Sequence, residues 1–302
     1  MAHEYDYLFP IYYEVWTLKG QGAGTNYAVG GLYAWAALIA NRLTGGERYR
    51  AEARQAIHVL STVPADRLFH EPQELAYGAL AAAELGMVTE AKYILYQQLR
   101  MFYWYSDPSQ QTHDIRGMAQ AAASILYPAF KENVEAILPL TGIMKRGIVI
   151  EGLLRFMDQQ RRNNFGFFEK CSEDRRNVAV GFIPFENLGT LELGGQTGNV
   201  GKEIYGAGEC IWMYLMFEAL GRVSDRELMM VNLDLLDTYD ANQFPPRQLN
   251  FVLYNPTGEA RSASITIPPA HGGEIRLSEN GKLIPEKLNV PGRAILRLVA
   301  EF

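Results

Sequence analysis

The chain has few cysteines and no long apolar run. Cys171 and Cys210 are the two cysteines in 302 residues, and neither belongs to a Cys-x-x-Cys pair or a Cys/His cluster. A single pair cannot build a disulfide framework, and the ligand spacing of a structural zinc site is missing, so no metal site is predicted. The longest apolar stretch, 28–40, contains glycine and is shorter than the roughly 20 residues that a membrane helix needs. We therefore predict no membrane-spanning segment.

Basic charge is also scarce. The 28 Lys and Arg residues are outnumbered by 34 Asp and Glu residues, which gives a formal net charge of -6. Nucleic acids and anionic membranes select basic surfaces, so neither is predicted as a partner. The N-terminal segment 1–7 contains no basic and apolar leader, which favours a cytoplasmic protein.

The composition changes sharply at Phe244-Pro245-Pro246. Before this point the chain is rich in Ala, Leu, Met, Glu and Gln at helical spacing, and after it come short alternating runs between turn residues. Two adjacent prolines stop a helix and fix an extended linker. We predict two domains, a helical one at 1–243 and a strand-rich one at 247–302.

The first domain is predicted to consist of helices in pairs. Apolar spacing, capping residues and glycine or proline ends define the segments. The predicted helices cover 26–42, 47–60, 72–85, 89–104, 112–127, a segment from 131, 149–161, 202–220 and 224–236. Thr25 or Asn26 is the predicted cap of the first helix, and Thr89 is that of the helix at 89–104. The segment from 131 is predicted to break at 139–142. The first helices of successive pairs begin near Asn26, Glu71 and His113, which are 45 and 42 residues apart. A two-helix period of about 40–45 residues indicates a repeat architecture.

The second domain is predicted to be a small β-sandwich-like module. Alternating residues at 249–254, 262–267, 273–277 and 294–299 predict strands, and 255–258 and 279–282 predict turns between them. A module of this size is marginally stable alone. We therefore expect it to pack on the helical part.

Helical hairpins at this period, followed by a β module, resemble the six-hairpin or (α/α)6-toroid carbohydrate-active enzymes. The segment 198–209, GNVGKEIYGAGE, resembles their late inner helix, and 252–257, VLYNPT, resembles the first strand and turn of their trailing β domain. The resemblance implies a mainly α fold, with a toroid-like helical-hairpin domain before a small C-terminal β-sandwich-like domain. We count about four hairpins, whereas a closed toroid has six. This implies an incomplete toroid or the C-terminal part of a longer protein, with a missing N-terminal half or a second subunit.

The first candidate site is the polar cluster His70-Glu71-Pro72-Gln73-Glu74 at a helix start. A carboxylate at this place is stabilised by the helix dipole, which is one explanation for Glu71 and Glu74. The alternative is that one of them is half of a carboxylate pair for glycosidic cleavage. The second histidine of a His-Glu-x-x-His zinc motif is absent.

The second candidate is the helix that begins at 202. Gly206 and Gly208 weaken a helix by roughly 1 kcal/mol each relative to alanine, so close packing or a ligand should offset them. Tyr205 and Glu209 are four residues apart and share a helix face. Glu203 or Glu209 would supply the second carboxyl group.

Polar residues near other helix starts and in aromatic loops are candidates for substrate binding. Helix capping and ion pairing are the alternative roles for those at 113–116, and packing over hairpin ends is the alternative for the aromatic loops. The predicted substrate-binding residues are His70, His113, Asp114, Arg116, Glu186, Asn199 and Tyr205.

The leading hypothesis from the sequence is a glycoside hydrolase that acts on a carbohydrate without a cofactor. Its acid and base would be Glu71 or Glu74 and Glu203 or Glu209. The first alternative is a polysaccharide lyase, with Tyr205 or His113 as base and Arg116 or Asn199 neutralising a uronate. The second is a non-catalytic helical-repeat scaffold or sugar-binding protein.

Overall fold

Among the described residues, the N-terminal part of the chain consists mainly of helices with a few short strands, and the C-terminal part consists mainly of antiparallel strands. None of the helices that the structure describes is long and apolar enough to cross a membrane. The computed structural model describes residues 9–11, 25–27, 29–63, 68–69, 71–102, 120–122, 125–128, 130–164, 215–219, 221–236, 248–267 and 276–301.

Six α-helices lie in these ranges, together with a π-helical turn at Leu215–Ala219. Their ends follow the turn chemistry that the sequence predicts. Gly45 ends the first helix at φ 69°, Gly86 follows the third at φ 74°, and Pro72 occupies a first-turn position. The helices are α1 (Gly30–Thr44), α2 (Glu47–Thr62), α3 (Pro72–Glu84), α4 (Val88–Leu99), α5 (Phe130–Lys145) and α6 (Glu151–Asn164).

Helices α1, α3 and α5 form a row, which we call the helix row, with α3 packed against both others. Trp35 contacts Tyr77 near the starts of α1 and α3, and Arg42 pairs with Glu84 near their ends. Glu84 also pairs with Arg146, just after the end of α5. Residue numbers therefore rise in the same direction on α1 and α3, and α5 meets them with its C-terminal end beside that of α3.

Helices α2 and α4 are the hairpin partners of α1 and α3. The Tyr33 hydroxyl on α1 donates a hydrogen bond to Glu52 on α2. The Gln98 amide near the end of α4 donates to the carbonyl of Pro72 at the start of α3, at 3.2 Å. Each partner is thus antiparallel to its row helix. Together they give two layers, with the helix row in one and α2 and α4 in the other.

Close approach of backbones fixes the helix row. A Cβ on Gly31 of α1 would lie 2.2 Å from the carbonyl oxygen of Glu74 and 2.9 Å from the Cα of Gly78 on α3. Glycine at both positions lets the two helices touch main chain to main chain. Alanine-rich α3 is consequently buried over most of its surface.

The C-terminal part contains a five-stranded antiparallel sheet in the order β12-β11-β14-β8-β7. Its strands are β7 (Met229–Asn232), β8 (Gln248–Tyr254), β11 (Arg276–Glu279), β12 (Lys282–Leu283) and β14 (Ile295–Glu301). Two short antiparallel pairs accompany it: β6 (Arg222–Val223) with β10 (Ile265–Thr266), and β9 (Arg261–Ala263) with β13 (Leu288–Val290). The other strands are β1 (Phe9–Ile11), β2 (Thr25–Tyr27), β3 (Leu68–Phe69), β4 (Gln120–Ala122) and β5 (Ile125–Pro128).

Strand β8, which pairs with β14 and β7, is buried on both faces. Leu249, Phe251 and Leu253 belong to an apolar cluster with residues of β9, β13 and β14. Val252 and Tyr254, which alternate with them, belong to the same apolar core as the helices. The sheet therefore packs between a small strand layer and the helical part, which confirms the expected packing of the β module.

Charged side chains join α6 to the turn between β6 and β7. Asp158 accepts hydrogen bonds from Arg161 at 2.7 Å and from Arg162 at 2.9 Å. Arg161 also donates to the Arg226 carbonyl, and Arg162 donates to Glu227, each at 3.2 Å. We call these contacts the charged junction.

The predicted turns of the β module are confirmed. Asn280 and Gly281 have φ of 50° and 76°, as a two-residue hairpin requires. The fully buried Asn255 holds the other turn: its amide donates to the carbonyls of Glu259, Val290 and Pro291, at 2.8 to 3.1 Å.

The predicted helix at 224–236 is wrong, because this segment contains strand β7. Leu228, Met229, Met230 and Val231 are all buried, since both faces of β7 are covered. The helical preference of Leu and Met is overridden by pairing with β8. Strands thus begin before the predicted domain boundary, and the proposed linker at 244–246 lies outside the described residues.

Other helix predictions need correction. The predicted helix at 112–127 is wrong at its C-terminal end, where β4 and β5 pair. The predicted break at 139–142 is absent, because α5 continues through Pro139, and Gly142 packs closely on Leu80 and Leu236.

The bounds of α1 and α4 also differ from prediction. Thr25 and Asn26 belong to β2 and are not helix caps, since α1 begins at Gly30. Helix α4 begins at Val88 instead of after a Thr89 cap, and it ends at Leu99. Of the predicted helix 202–220, only the part within the π-helical turn is described.

Candidate functional site

The start of α3 is closed by two glutamates that cap each other. Glu71 is the N-cap residue, and its carboxylate accepts a hydrogen bond from the backbone N–H of Glu74. The Glu74 carboxylate in turn accepts from the backbone N–H of Glu71, at 3.1 Å. This is a reciprocal capping box, with glutamate where serine or threonine is usual. Both carboxylates thus have a structural role, and a catalytic role for either stays a prediction.

Two glutamines extend this polar cluster. The Gln73 amide nitrogen donates to the Glu71 carboxylate, and the fully buried Gln98 reaches the same helix start from α4. Glu74 is itself 2% exposed. Polar groups at the first turn of α3 therefore extend from the half-buried Glu71 and Gln73 to the buried Glu74 and Gln98.

Helix α3 leaves one stripe of its surface accessible. Gln73, Tyr77 and Glu84 are half-buried, and the spacings of four and seven residues place them on one face. Most other residues of α3 are buried. A ligand that reaches α3 therefore meets this face.

Tyr77 is the centre of the stripe. Burial raises the pKa of Tyr77 above its ordinary value, and the nearby Glu135 carboxylate on α5 raises it further. The phenol is therefore neutral in the physiological range. It presents a hydroxyl group close to a half-buried carboxylate.

Trp35 on α1 borders Tyr77 on the other side. The two ring centroids are 6.5 Å apart, with 36° between the ring planes. The guanidinium carbons of Arg42 and Arg146 lie 4.8 and 5.7 Å from the Trp35 ring centroid, and both arginines pair with Glu84. Cation–π contacts and ion pairs therefore tie all three row helices together at this place.

We call this surface the row face. It combines partly accessible aromatic rings, carboxylates and guanidinium groups, which are the groups that proteins use to contact the C–H faces and hydroxyl groups of sugars. It consists of Trp35, Arg42, Gln73, Tyr77, Glu84, Glu135 and Arg146.

The structure brings together two of the residues predicted from the sequence, Glu71 and Glu74. The others lie outside the described residues, so their placement stays a prediction. They are His70, His113, Asp114, Arg116, Glu186, Asn199, Glu203, Tyr205 and Glu209. Among the residues that are described, no group of three or more His, Cys, Asp or Glu side chains could hold a metal ion.

Sequence reasoning missed the centre of the row face. Trp35 and Tyr77 are 42 residues apart, and so are Arg42 and Glu84. That distance equals one predicted repeat, so the pairs occupy equivalent positions in successive hairpins. The repeat period was the signal that could have found them, whereas nothing in the local sequence marks Glu135.

Comparisons with known proteins assign no relative: no family model matches the chain, and no curated protein matches it.

Proposed function

We propose that the chain is a carbohydrate-active protein, a glycoside hydrolase that binds sugar on the row face. The observation that carries this proposal is the environment of Tyr77. Its neutral hydroxyl group lies near the Glu135 carboxylate and beside the Trp35 ring, on the accessible side of α3.

Sugar rings combine an apolar C–H face with hydroxyl groups. Tyr77 offers an aromatic surface and a hydroxyl group at one point, and Glu135 offers a strong hydrogen-bond acceptor next to it. Partial burial matters because it strengthens such polar contacts while leaving room for a ligand. The net charge of -6 suits a neutral sugar better than a polyanionic one.

The layout of the helices supports the toroid-like arrangement proposed from the sequence. Helices α1 and α3 are parallel neighbours, each with an antiparallel partner in a second layer, and α5 extends the row. In such an arrangement the starts of the row helices lie at one end. Polar groups at these starts would face a common substrate.

Glycosidic cleavage requires one protonated and one ionised carboxyl group across the scissile bond. We assign Glu135 as one member of this pair, because Glu71 and Glu74 already cap α3. Glu203 or Glu209 is the proposed second member. Tyr77 would hold the sugar hydroxyl nearest to Glu135.

Turnover of a substrate panel tests this proposal. The panel would contain nitrophenyl α- and β-glycosides and neutral cello-, xylo-, malto- and chito-oligosaccharides, with release of nitrophenol or reducing ends as the readout. Glu135→Gln should lower kcat by about 100-fold or more, the usual contribution of an acid or base catalyst. Tyr77→Phe should lower kcat/KM by about tenfold, because one hydrogen bond to the substrate is lost.

Glu286→Gln is the matched control, since Glu286 is exposed in the β module, and it should leave turnover unchanged. Wild-type turnover that survives in both Glu135→Gln and Tyr77→Phe would contradict the assignment. A product that absorbs in the ultraviolet would identify a polysaccharide lyase instead.

A second candidate function is sugar binding without catalysis. The capping box favours it, because Glu71 and Glu74, two of the four carboxylates that the sequence suggested for catalysis, stabilise the start of α3. Binding of an oligosaccharide with no product after long incubation would support this candidate over the hydrolase.

A further inference from the structure

Helix α1 carries an exposed stripe of apolar side chains, which we call the outer stripe. It consists of Leu32, Ala36, Ile39 and Leu43. All four residues are exposed, Leu43 most of all at 81%. Their spacings of four, three and four residues place them on one face of the helix. An exposed apolar stripe without a charged residue indicates an interaction surface.

The outer stripe lies where the helix row would receive another helix. Helix α3 has a row neighbour on each side, whereas α1 packs mainly on α2 and α3 within the described residues. The contact of Gly31 with Gly78 shows which face of α3 receives α1. The buried residues of α3 that follow the outer stripe by one 42-residue repeat are Glu74, Gly78, Ala81 and Leu85. The outer stripe is thus the equivalent face of α1, and it lacks the polar surface that closes the end of a helical repeat array.

The side chains of the outer stripe specify a different kind of helix contact from that between α1 and α3. Bulky Leu32 and Ile39 stand at the repeat positions of Glu74 and Ala81, and Ala36 stands at that of Gly78. The bulky side chains keep a neighbouring backbone at a distance. Alternating spacings of four and three residues are those of a coiled-coil seam, in which side chains of two helices interlock. The fitting partner is therefore a helix with a matching apolar seam.

The outer stripe matches itself in the antiparallel direction. About a two-fold axis between positions 37 and 38, Leu32 meets Leu43 of a second copy, and Ala36 meets Ile39. A small side chain thus faces a large one, as close packing requires. A parallel pair would set Ala36 against Ala36 and Ile39 against Ile39. An anionic lipid surface is a poor alternative partner, because the net charge of the chain is -6.

We propose that the outer stripe is a dimer interface, occupied by the antiparallel α1 helix of a second copy of this chain. The contact is isologous, so both copies use the same residues. The two-fold axis runs perpendicular to the paired helices, which brings the row faces of the two copies to the same side of the dimer. This inference goes beyond the proposed function and does not depend on sugar binding.

Sedimentation equilibrium of the full chain tests the interface. The chain would be measured between about 1 and about 500 µM, a range that covers the weak association expected of a small interface. We expect the wild type to change from monomer to dimer with rising concentration. Leu43→Glu and Ile39→Glu should each raise the dissociation constant about tenfold or more, because two unpaired carboxylates enter the apolar seam of every dimer.

Leu283→Glu is the matched control. Leu283 lies on β12 and is 71% exposed, so the same substitution is made at a similarly accessible leucine away from α1. This variant should dimerise as the wild type does. The urea midpoints of Leu43→Glu and Leu283→Glu at the lowest concentration should equal that of the wild type, which shows that both variants are folded.

Cysteine cross-linking tests the direction of the pair, with Cys171→Ser and Cys210→Ser as background. Leu32→Cys combined with Leu43→Cys should give a disulfide-linked dimer under mild oxidation. The two positions lie about 16 Å apart along α1, too far for a disulfide within one chain. Each single variant should remain uncross-linked, because antiparallel pairing separates a residue from its own copy. A cross-link in Leu43→Cys alone would contradict the antiparallel pair.

Three results of sedimentation would overturn the inference. A wild type that stays monomeric over the whole range would leave the outer stripe to a different partner. A dimer that persists unchanged in Leu43→Glu and Ile39→Glu would use another surface. Equal weakening by Leu283→Glu would show that added charge, and not the outer stripe, controls association. None of these results bears on sugar turnover, so the proposed function is tested separately.

Discussion

The helix row and the charged junction hold the molecule together by different means. In the row, Gly31 lets α1 approach the backbone of α3, and the surrounding core is alanine and leucine. At the junction, Asp158 on α6 binds Arg161 and Arg162, which reach the turn before β7. The first interface depends on shape, and the second depends on charge.

This difference explains what each interface can tolerate. Backbone contact leaves no space for an added methyl group, so the row has one packing arrangement. Long charged side chains can adjust, and their pairing depends on pH and salt. The proposed sugar site lies on the helix row, where close backbone packing fixes the distance between α1 and α3.

The largest effect should come from a methyl group added to the helix row. Gly31→Ala places its Cβ against the Glu74 carbonyl, and we expect a loss of about 3 kcal/mol in the free energy of unfolding. Gly152→Ala on α6 is the control, because a Cβ there meets nothing within 4 Å. That change should gain up to about 1 kcal/mol from helix propensity. Urea unfolding measures the stability of both variants. Equal stability would contradict the claim that close backbone packing stabilises the helix row.

Removing the central carboxylate of the charged junction should have the next largest effect. Asp158→Asn leaves the buried Arg161 with a weaker partner, and we expect a loss of about 2 kcal/mol in unfolding free energy. Glu227→Gln, which removes the more exposed partner of Arg162, should cost less than about 0.5 kcal/mol. If the two variants are equally stable, Asp158 is not the centre of this interface.

A substitution is expected to raise the unfolding free energy where it removes a buried polar group that makes no hydrogen bond to the described residues. Gln160 on α6 is fully buried, and neither amide atom makes a hydrogen bond to the residues that the structure describes. Gln160→Met should therefore raise the unfolding free energy by about 1 kcal/mol. The neighbouring Gln159→Met, at a half-buried position, serves as control. Destabilisation by Gln160→Met would show that the amide is satisfied in solution.

The smallest effect should be the acid sensitivity of the turn at Asp225. Burial raises the pKa of Asp225, but the hydrogen bond from the Glu227 backbone N–H and the guanidinium groups of Arg261 and Arg162 outweigh it, so the pKa lies below its ordinary 3.8. A carboxyl group with a lowered folded-state pKa stabilises the fold above its unfolded pKa. That contribution is lost as pH falls from 3.8 through the folded-state value.

The measurement is the urea midpoint of wild type and Asp225→Asn between neutral pH and pH 3. The difference between them should be constant above about pH 5 and should shrink below pH 4. A difference that stays constant over the whole range would contradict the assigned cause.

Turn-forming and helix-ending residues in the sequence correctly predicted the features of the fold that depend only on residues close together along the chain. Gly45, Gly86 and Pro72 marked helix ends correctly, and Asn280-Gly281 marked a hairpin. The segment 224–236 was predicted wrongly because its Leu and Met residues suit a helix, and only pairing with β8 makes part of it a strand. Such pairing is a tertiary effect that a local pattern does not contain.

The candidate site could be predicted only in part for the same reason. The polar cluster at Glu71 and Glu74 was visible as a sequence motif, with the helix dipole or a catalytic role as its explanation, but the reciprocal capping was not predicted. Tyr77 and Glu135 lie on different helices, and the Glu135 charge acts on Tyr77 because α3 packs on α5. No sequence pattern within α3 or α5 predicts that Tyr77 and Glu135 lie near each other.

The most direct test of sugar recognition by the row face is a crystal structure of the chain with the neutral disaccharide that binds most tightly. We expect a sugar ring in contact with Tyr77 and Trp35, with a hydroxyl group donating to Glu135. A disaccharide bound on the β module, with Tyr77 and Glu135 making no contact to it, would contradict the account.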